Sequence, residues 1–225
     1  MTAGPSPRRA RYRFVFFDVD STLVTIEGID VLANNDPAIA KLTDAAMNGE
    51  IPLDEVYGKR LEIIRPSLQS VEALAEKYLH SLVDGAVDTI AALNEAGASV
   101  HLVTGGIEQA IAPLAARLGI PPRAVHAVSL SFAADGSYSD FDRRSFLTRP
   151  GGKELAVRDV RARTHGRAAF VGDGVSDLEA RPAVDLFVGF GGVHTRPRVK
   201  DNADVFIAQP PLTTVLPYLI EDNRA

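Results

Sequence analysis

The stretch Arg13–Thr22, RFVFFDVDST, places the apolar run Phe14–Phe17 directly before two aspartates. Short apolar runs bounded by polar residues are typical of strands buried on both faces of a parallel sheet. Because side chains alternate along a strand, Asp18 and Asp20 would point the same way at its carboxyl end, where open α/β sheets bind ligands. A solvated turn with two aspartates is the alternative interpretation of this triplet taken alone.

Further apolar runs along the chain also have the character of buried strands. They span residues 98–103, 124–129, 167–172, 185–190 and 204–208. Most are separated by segments of helical character, which include residues 85–96, 107–118 and 153–163. Alternating strands and helices favour a parallel sheet that is covered on both faces. The sequence therefore predicts an α/β fold with a Rossmann-like, doubly wound parallel sheet.

The alternation is interrupted between the first two strands. Residues 27–82 contain no strand candidate, only helix-like segments around residues 30–32, 37–47, 53–64 and 71–82. That is too much chain for one crossover, so we predict a small helical cap inserted into a core domain of residues 13–26 and 83–225. Between residues 131 and 142, a turn at Asp135-Gly136 flanked by short alternating runs predicts a β-hairpin.

Composition limits the classes of function. The 225 residues are 46% hydrophobic and 24% charged, as expected for one globular domain with a small accessory unit. A net charge of −5 argues against a nucleic-acid partner, and no apolar stretch reaches the roughly 18 residues of a membrane span. The lack of cysteine suits a reducing compartment. We expect a cytoplasmic protein with a small-molecule substrate, no nucleic-acid or membrane partner and a disordered basic tail over residues 1–12; a homodimer is left open.

Three more motifs fall at strand ends or helix starts. Thr104-Gly105-Gly106 follows the second predicted strand, where backbone amides and the threonine hydroxyl could bind a phosphate. Lys153 opens a helix after two glycines, where a cation opposes the helix dipole and needs a compensating anion. Asp173 follows another strand, and Asp177 lies in the first turn of the next helix. An ordinary turn, a surface lysine and a helix N-terminal acid are the alternatives for these motifs taken singly.

A parallel sheet would bring these strand ends together at one edge. The combined carboxylates, lysine, hydroxyl and glycine turns are suited to holding Mg²⁺ through oxygen ligands while a phosphoryl group is bound. The order D-x-D-S-T, T-G-G, K, G-D-G-x-x-D resembles the haloacid dehalogenase (HAD) superfamily of phosphatases. Within it, further motifs resemble the phosphoserine phosphatase family. They are Glu27–Asp30, Ala46–Gly49, Arg60 with Arg65–Ser67, Gly151–Lys153, Gly189–Gly192 and Val199–Ala203.

The resemblance implies an Mg²⁺-dependent phosphomonoesterase that hydrolyses O-phosphoserine through an aspartyl phosphate, the last step of serine biosynthesis. Asp18 would be the nucleophile and Asp20 the general acid and base. Mg²⁺ would be held by the Asp18 side chain, the Asp20 backbone carbonyl and Asp173. Asp177 would orient Lys153 or a metal-bound water.

The resemblance also implies how the substrate is bound. Thr104, Gly105, Gly106 and Lys153 would contact the phosphate, and Lys153 would also act in catalysis by offsetting transition-state charge. In the cap, Glu27 would bind the substrate ammonium, Arg60 its carboxylate, and Met47 would line the pocket. Two alternatives stay open: action on another small phosphomonoester, as a phosphatase or a phosphotransferase, and a phospho-accepting signalling module.

Overall fold

The computed structural model describes residues 9–34 and 36–221. Eight strands lie in that part of the chain. They are β1 Phe14–Phe17, β2 Ser99–Ile107, β3 Val125–Val128, β4 Leu130–Phe132, β5 Tyr138–Phe141, β6 Ala168–Gly172, β7 Leu186–Phe190 and β8 Val205–Ile207. Six of them form a parallel sheet in the order β3-β2-β1-β6-β7-β8, and β4 and β5 pair as an antiparallel hairpin. The predicted doubly wound α/β fold and its hairpin are confirmed.

The helices cover the sheet and fill the segment between its first two strands. They are α1 Gly28–Leu32, α2 Pro37–Met47, α3 Leu53–Ile64, α4 Leu68–His80, α5 Ala86–Glu95, α6 Glu108–Arg117, α7 Gly152–Ala162, α8 Val175–Leu178, α9 Pro197–Asn202 and α10 Leu216–Leu219. Residues 27–82, predicted as a cap, contain α1 to α4. The chain enters and leaves this segment side by side, because Val24 and Leu82 form an isolated β-bridge. The last of these helices begins earlier than predicted, because the Ser67 hydroxyl caps it by accepting a hydrogen bond from the Ser70 amide at 3.1 Å.

The core centres on β1, whose four residues are all buried between β2 and β6. Aromatic rings form a row across the sheet on one face. Ring centroids are 6.3 Å apart between Phe16 and Phe170 and 6.1 Å apart between Phe170 and Phe187. The row continues from Phe16 toward β3. The ring centroid of His101 lies 5.2 Å from that of Phe16 and 5.5 Å from that of His126. This row, from His126 to Phe187, packs the middle of the sheet and places two histidines at its β3 end.

Strand β2 is longer than its apolar run suggested. The prediction that this strand ends at residue 103 is wrong, because Ile107 pairs with Val128 of β3 after an irregular stretch. Helix α6 consequently begins at Glu108, so Thr104 lies within β2 and away from the helix N-terminus.

The predicted disordered tail also needs correction. Residues 1–8 lie outside the described part of the chain, but the prediction is wrong for residues 9–12. Ala10 forms a bridge with Ile220, and the ring of Tyr12 is buried beneath the guanidinium of Arg167 at 4.6 Å. Among the described residues, no helix combines the length and apolarity that crossing a membrane requires.

Candidate active site

The sheet order reverses between β1 and β6, which are paired neighbours. In open α/β sheets the crevice at such a reversal, beyond the carboxyl ends of the strands, is where ligands bind. Asp18 directly follows β1, and Asp173 directly follows β6. Both side chains are buried, and one carboxylate oxygen each from Asp18, Asp173 and Asp177 lies within 4.8 Å of the other two. Residues far apart in the sequence thus form one acidic cluster.

Lys153 places a cation inside this cluster. It lies in the first turn of α7, which begins after Gly151, a glycine with a φ of 72°. Its Nζ is 2.6 Å from Asp177 Oδ1 and 2.8 Å from Asp18 Oδ1. Burial alone would lower the pKa of Lys153, but the charges of Asp177 and Asp18 outweigh burial and raise it. The lysine is therefore held charged between the two carboxylates.

Asp173 and Asp177 have further partners. Asp173 accepts hydrogen bonds from Thr22 Oγ1 at 3.1 Å and from Arg196 Nε at 3.2 Å. Asp177 Oδ2 accepts one from the amide of Gly174 at 2.8 Å. Even so, burial first and neighbouring carboxylates second raise the pKa of Asp173 to about 7 and that of Asp177 to about 8. Three buried carboxylates thus share two cations, Lys153 and Arg196.

This excess of carboxylate oxygens fits a hard divalent cation such as Mg²⁺, which takes oxygen ligands. Lys153 is close to Asp18 Oδ1, but no hydrogen bond from the described residues is aligned with that buried oxygen. The cluster includes Asp18 and Asp173, the side chains that the resemblance implies as metal ligands, and adds Asp177, which accepts a hydrogen bond from Lys153.

Asp20 lies beside this cluster and faces the cavity that opens above it. Its Oδ1 accepts hydrogen bonds from the Tyr78 hydroxyl at 2.7 Å and from the Gly28 amide at 3.1 Å. Burial and then the charge of Asp18 raise the pKa of Asp20 to about 7, although these two hydrogen bonds lower it. A carboxyl group with a pKa near neutrality can both give and take a proton at physiological pH.

The loop Thr104–Gly106 lines the same cavity. Thr104 is buried, and its Oγ1 accepts a hydrogen bond from the Gly106 amide at 2.9 Å. The hydroxyl hydrogen of Thr104 remains free to donate to an anion, because a hydroxyl both accepts and donates. The Gly106 amide, which the sequence suggested as a donor to phosphate, thus makes its hydrogen bond within the loop. Across the cavity, the Tyr57 hydroxyl donates to the carbonyl oxygen of Gly105 at 2.7 Å.

The cavity continues from the acidic cluster to the helices of residues 27–82, where Glu27, Met47 and Arg60 line it. Arg60 is 5% exposed; its Nη1 donates to Thr43 Oγ1 at 3.0 Å, and its Nε has no hydrogen-bond partner among the described residues. The carboxylate of Glu27 accepts a hydrogen bond from Ser21 Oγ at 2.6 Å. One cavity is therefore lined by Asp18, Asp20 and Lys153 and also by the carboxylate of Glu27 and the guanidinium of Arg60.

Several residues at the site were not assigned a role by the sequence. Thr22 and Arg196 hold Asp173, and Tyr57, Tyr78 and Thr43 line the cavity. Thr22 lies in the D-x-D-S-T motif, which could have drawn attention to it. The other four lie outside the core motifs, where no local pattern distinguishes them from core or surface residues.

Fold and site define a class of enzyme: open α/β proteins that use a carboxylate at the carboxyl edge of the sheet for chemistry on a phosphoryl group. Comparison with known proteins supports this class and narrows it. The family model described as haloacid dehalogenase-like hydrolase matches residues 15–180. The chain belongs to the haloacid dehalogenase-like hydrolases.

Curated relatives that the chain matches over most of its length include phosphoserine phosphatases. The chain is 36% identical over 197 residues to phosphoserine phosphatase of Mus musculus, covering 86% of this chain and 88% of the relative. It is 39% identical over 199 residues to the chloroplastic phosphoserine phosphatase of Arabidopsis thaliana, covering 86% and 68% of the two chains. A solved structure of a phospho-aspartyl intermediate analogue of phosphoserine phosphatase superposes with a TM-score of 0.80 at 26% identity, covering 92% of this chain and 98% of the other.

Proposed function

We propose that this protein hydrolyses O-phosphoserine to serine and phosphate through an aspartyl phosphate on Asp18. The observation that carries the proposal is the single cavity that joins Asp18 and Lys153 to Glu27 and Arg60. A small molecule that carries a phosphate, an ammonium and a carboxylate matches the charges of this lining. The names of the relatives, which are phosphoserine phosphatases, support the same substrate.

In the first step, a carboxylate oxygen of Asp18 attacks phosphorus in line with the ester oxygen. A new bond forms between that oxygen and phosphorus, and the bond from phosphorus to the serine oxygen breaks with its electron pair on the serine oxygen. Asp20 gives its proton to that oxygen, so serine leaves as a neutral alcohol. Lys153 and the Thr104 hydroxyl stabilise the charge on the phosphoryl oxygens.

In the second step, water attacks phosphorus of the aspartyl phosphate, and Asp20, now a carboxylate, takes the proton of that water. The bond between phosphorus and Asp18 breaks, which releases phosphate and restores both carboxyl groups. A pKa of about 7 for Asp20 suits both directions of proton transfer.

We propose Mg²⁺ as the cofactor, held by Asp18 and Asp173 and, following the family resemblance, by the backbone carbonyl of Asp20. The three buried carboxylates, with oxygens within 4.8 Å of one another, support this assignment. Bound there, Mg²⁺ would offset negative charge on the phosphoryl group. Asp177 keeps Lys153 oriented toward Asp18 through its 2.6 Å hydrogen bond. The absence of cysteine fits a reducing compartment, so we place the reaction in the cytoplasm as the last step of serine biosynthesis.

The substrate assignment is tested with phosphate esters that lack one charged group. Arg60→Ala should lower kcat/KM for O-phosphoserine by about 10²- to 10³-fold, because a buried charged hydrogen bond is lost. It should leave O-phosphoethanolamine, which has no carboxylate, nearly unchanged. Glu27→Gln should lower kcat/KM for O-phosphoserine. It should leave kcat/KM for 3-phosphooxypropionate, which has no ammonium, nearly unchanged. Lys59→Ala, on the exposed face of the same helix, is the control for loss of positive charge.

Three results would contradict this function. Turnover of O-phosphoserine by Asp18→Asn at the wild-type rate would exclude Asp18 as the nucleophile. Equal effects of Arg60→Ala on esters with and without a carboxylate would favour another small phosphomonoester, or transfer to an alcohol in place of water. A long-lived aspartyl phosphate without turnover would instead favour a phospho-accepting signalling module, which the placement of Asp20 argues against.

A further inference from the structure

Tyr78 reaches the active site from α4 and is fully buried. Its hydroxyl donates a hydrogen bond of 2.7 Å to Asp20 Oδ1. The phenol passes directly over Gly28: a Cβ on that glycine would lie 2.0 Å from the Tyr78 hydroxyl oxygen and 2.9 Å from Cζ. Only a glycine at position 28 leaves room for this approach. The hydrogen bond from Tyr78 to Asp20 joins residues 58 positions apart.

The two oxygens of Asp20 have different surroundings. Oδ1 accepts from Tyr78 and also from the Gly28 amide at 3.1 Å. Over residues 9–34 and 36–221, no hydrogen bond reaches Oδ2. This oxygen faces the loop that contains Thr104, and it lies 3.4 Å from the position a Cβ would take on Gly106. With both donors directed at Oδ1, a proton on this carboxyl group belongs on Oδ2, at the cavity.

We propose that Tyr78 is a positioning residue for proton transfer: it holds Asp20 through Oδ1 so that the proton is carried on Oδ2, toward the ester oxygen. This inference rests on the proposed phosphomonoester hydrolysis. In the first step the Oδ2–H bond breaks, and the proton joins the ester oxygen, which receives the electron pair of the broken bond to phosphorus. In the second step a proton of the attacking water returns to Oδ2.

The test uses the acidity of the leaving group. A poor leaving group needs a proton as it departs, whereas p-nitrophenolate leaves readily without one. The parameter kcat/KM covers the steps through departure of the alcohol, so it isolates this proton transfer from the later attack of water. Tyr78→Phe removes the hydroxyl and keeps the ring. It should lower kcat/KM for phenyl phosphate and O-phosphoserine by about 10- to 100-fold, a part of the usual contribution of general acid catalysis, and by about twofold or less for p-nitrophenyl phosphate.

Tyr57→Phe is the matched control, because Tyr57 lines the same cavity and its hydroxyl makes one hydrogen bond of the same 2.7 Å length, to Gly105 rather than to Asp20. It should change kcat/KM for the three esters by one common factor. Gly28→Ala is an independent second variant, since its methyl group would displace the phenol from Asp20 while Tyr78 is retained. It should reproduce the selective loss.

Equal losses on phenyl and p-nitrophenyl phosphate in Tyr78→Phe, or no loss on either, would overturn the proposal. The two aryl esters carry neither an ammonium nor a carboxylate, so their ratio does not depend on Glu27 or Arg60. Failure of wild-type protein on O-phosphoserine with activity on the aryl esters would thus refute the substrate assignment alone. An unchanged ratio with activity on O-phosphoserine would refute the role of Tyr78 alone.

Discussion

Replacing His101 with phenylalanine should remove part of the acid sensitivity of the fold. His101 is 8% exposed and lies against the rings of Phe14 and Phe16. Its Nδ1 is 3.2 Å from His126 Nε2. Burial first, and then the nearby His126 and Arg123, lower the pKa of His101 from 6.5 to about 4.

The size and sign of the effect follow from this pKa. The unfolded chain binds a proton at His101 below pH 6.5, whereas the folded chain does so only near pH 4. Between these values the unfolded state holds more protons, so the free energy of unfolding falls as the pH falls. At about 1.4 kcal/mol for each tenfold difference in proton affinity, the loss from pH 7 to pH 4 is about 3 kcal/mol.

The assay is urea unfolding of wild-type protein and His101→Phe at pH 7 and pH 4. The stability of wild type relative to the variant should fall by about 3 kcal/mol between the two pH values. Because the carboxylates titrate in both proteins, their contribution to the pH dependence of stability cancels in this difference. His165→Gln, which removes an exposed histidine, serves as the control for the substitution itself. The same stability difference between wild type and His101→Phe at both pH values would refute the reasoning.

The other predictions concern Mg²⁺ binding, Lys153 and two glycines. Saturation with Mg²⁺ at about 100 times its Kd should stabilise wild-type protein by about 2.7 kcal/mol, and thermal melting should show a smaller gain for Asp173→Asn. Lys153→Met should lower kcat by about 10²-fold or more, since it removes the cation beside the reacting carboxylate; steady-state kinetics with Asp18 unaltered measures this, and a loss below about threefold would contradict it. Gly172→Ala would place its Cβ 2.4 Å from Cγ of buried Asp177, so chemical denaturation should show a loss of about 1–3 kcal/mol. Gly58→Ala, in a helix where the new Cβ would make ordinary van der Waals contact with the Phe141 ring at 3.5 Å, should instead gain up to about 1 kcal/mol.

The sheet and the positions of the strand-end residues could be predicted because the signals are local. An apolar run followed by a polar residue marks where a strand ends, and parallel pairing then brings Asp18 and Asp173 together. The end of β2 was misplaced because it depends on pairing between Ile107 and Val128, which no local pattern shows. Residues 9–12 were misread for the same reason, since the partner of Ala10 is Ile220 at the far end of the chain.

The residues of the cap were harder to predict from physical pattern alone. Glu27 and Arg60 could be singled out only through the family motifs, because a charged residue on a helix is ordinarily at the surface. Tyr57 and Tyr78 carry no signal in the sequence, since an aromatic residue at helical spacing indicates core packing. Their roles depend on the acceptor of each hydroxyl, which is Gly105 for Tyr57 and Asp20 for Tyr78. These acceptors are set by how the helices pack over the sheet.

The placement of these two tyrosines gives the protein a built-in optical probe. The chain has no tryptophan and five tyrosines, so its intrinsic fluorescence comes from tyrosine, and two of the five line the cavity. The hydroxyl of Tyr78 donates a hydrogen bond to a carboxylate, and that of Tyr57 donates one to a backbone carbonyl. A ligand that alters either contact would change the emission without any attached dye. Occupancy of the cavity could thus be followed in unlabelled protein, with Tyr57→Phe and Tyr78→Phe assigning the signal to one side or the other.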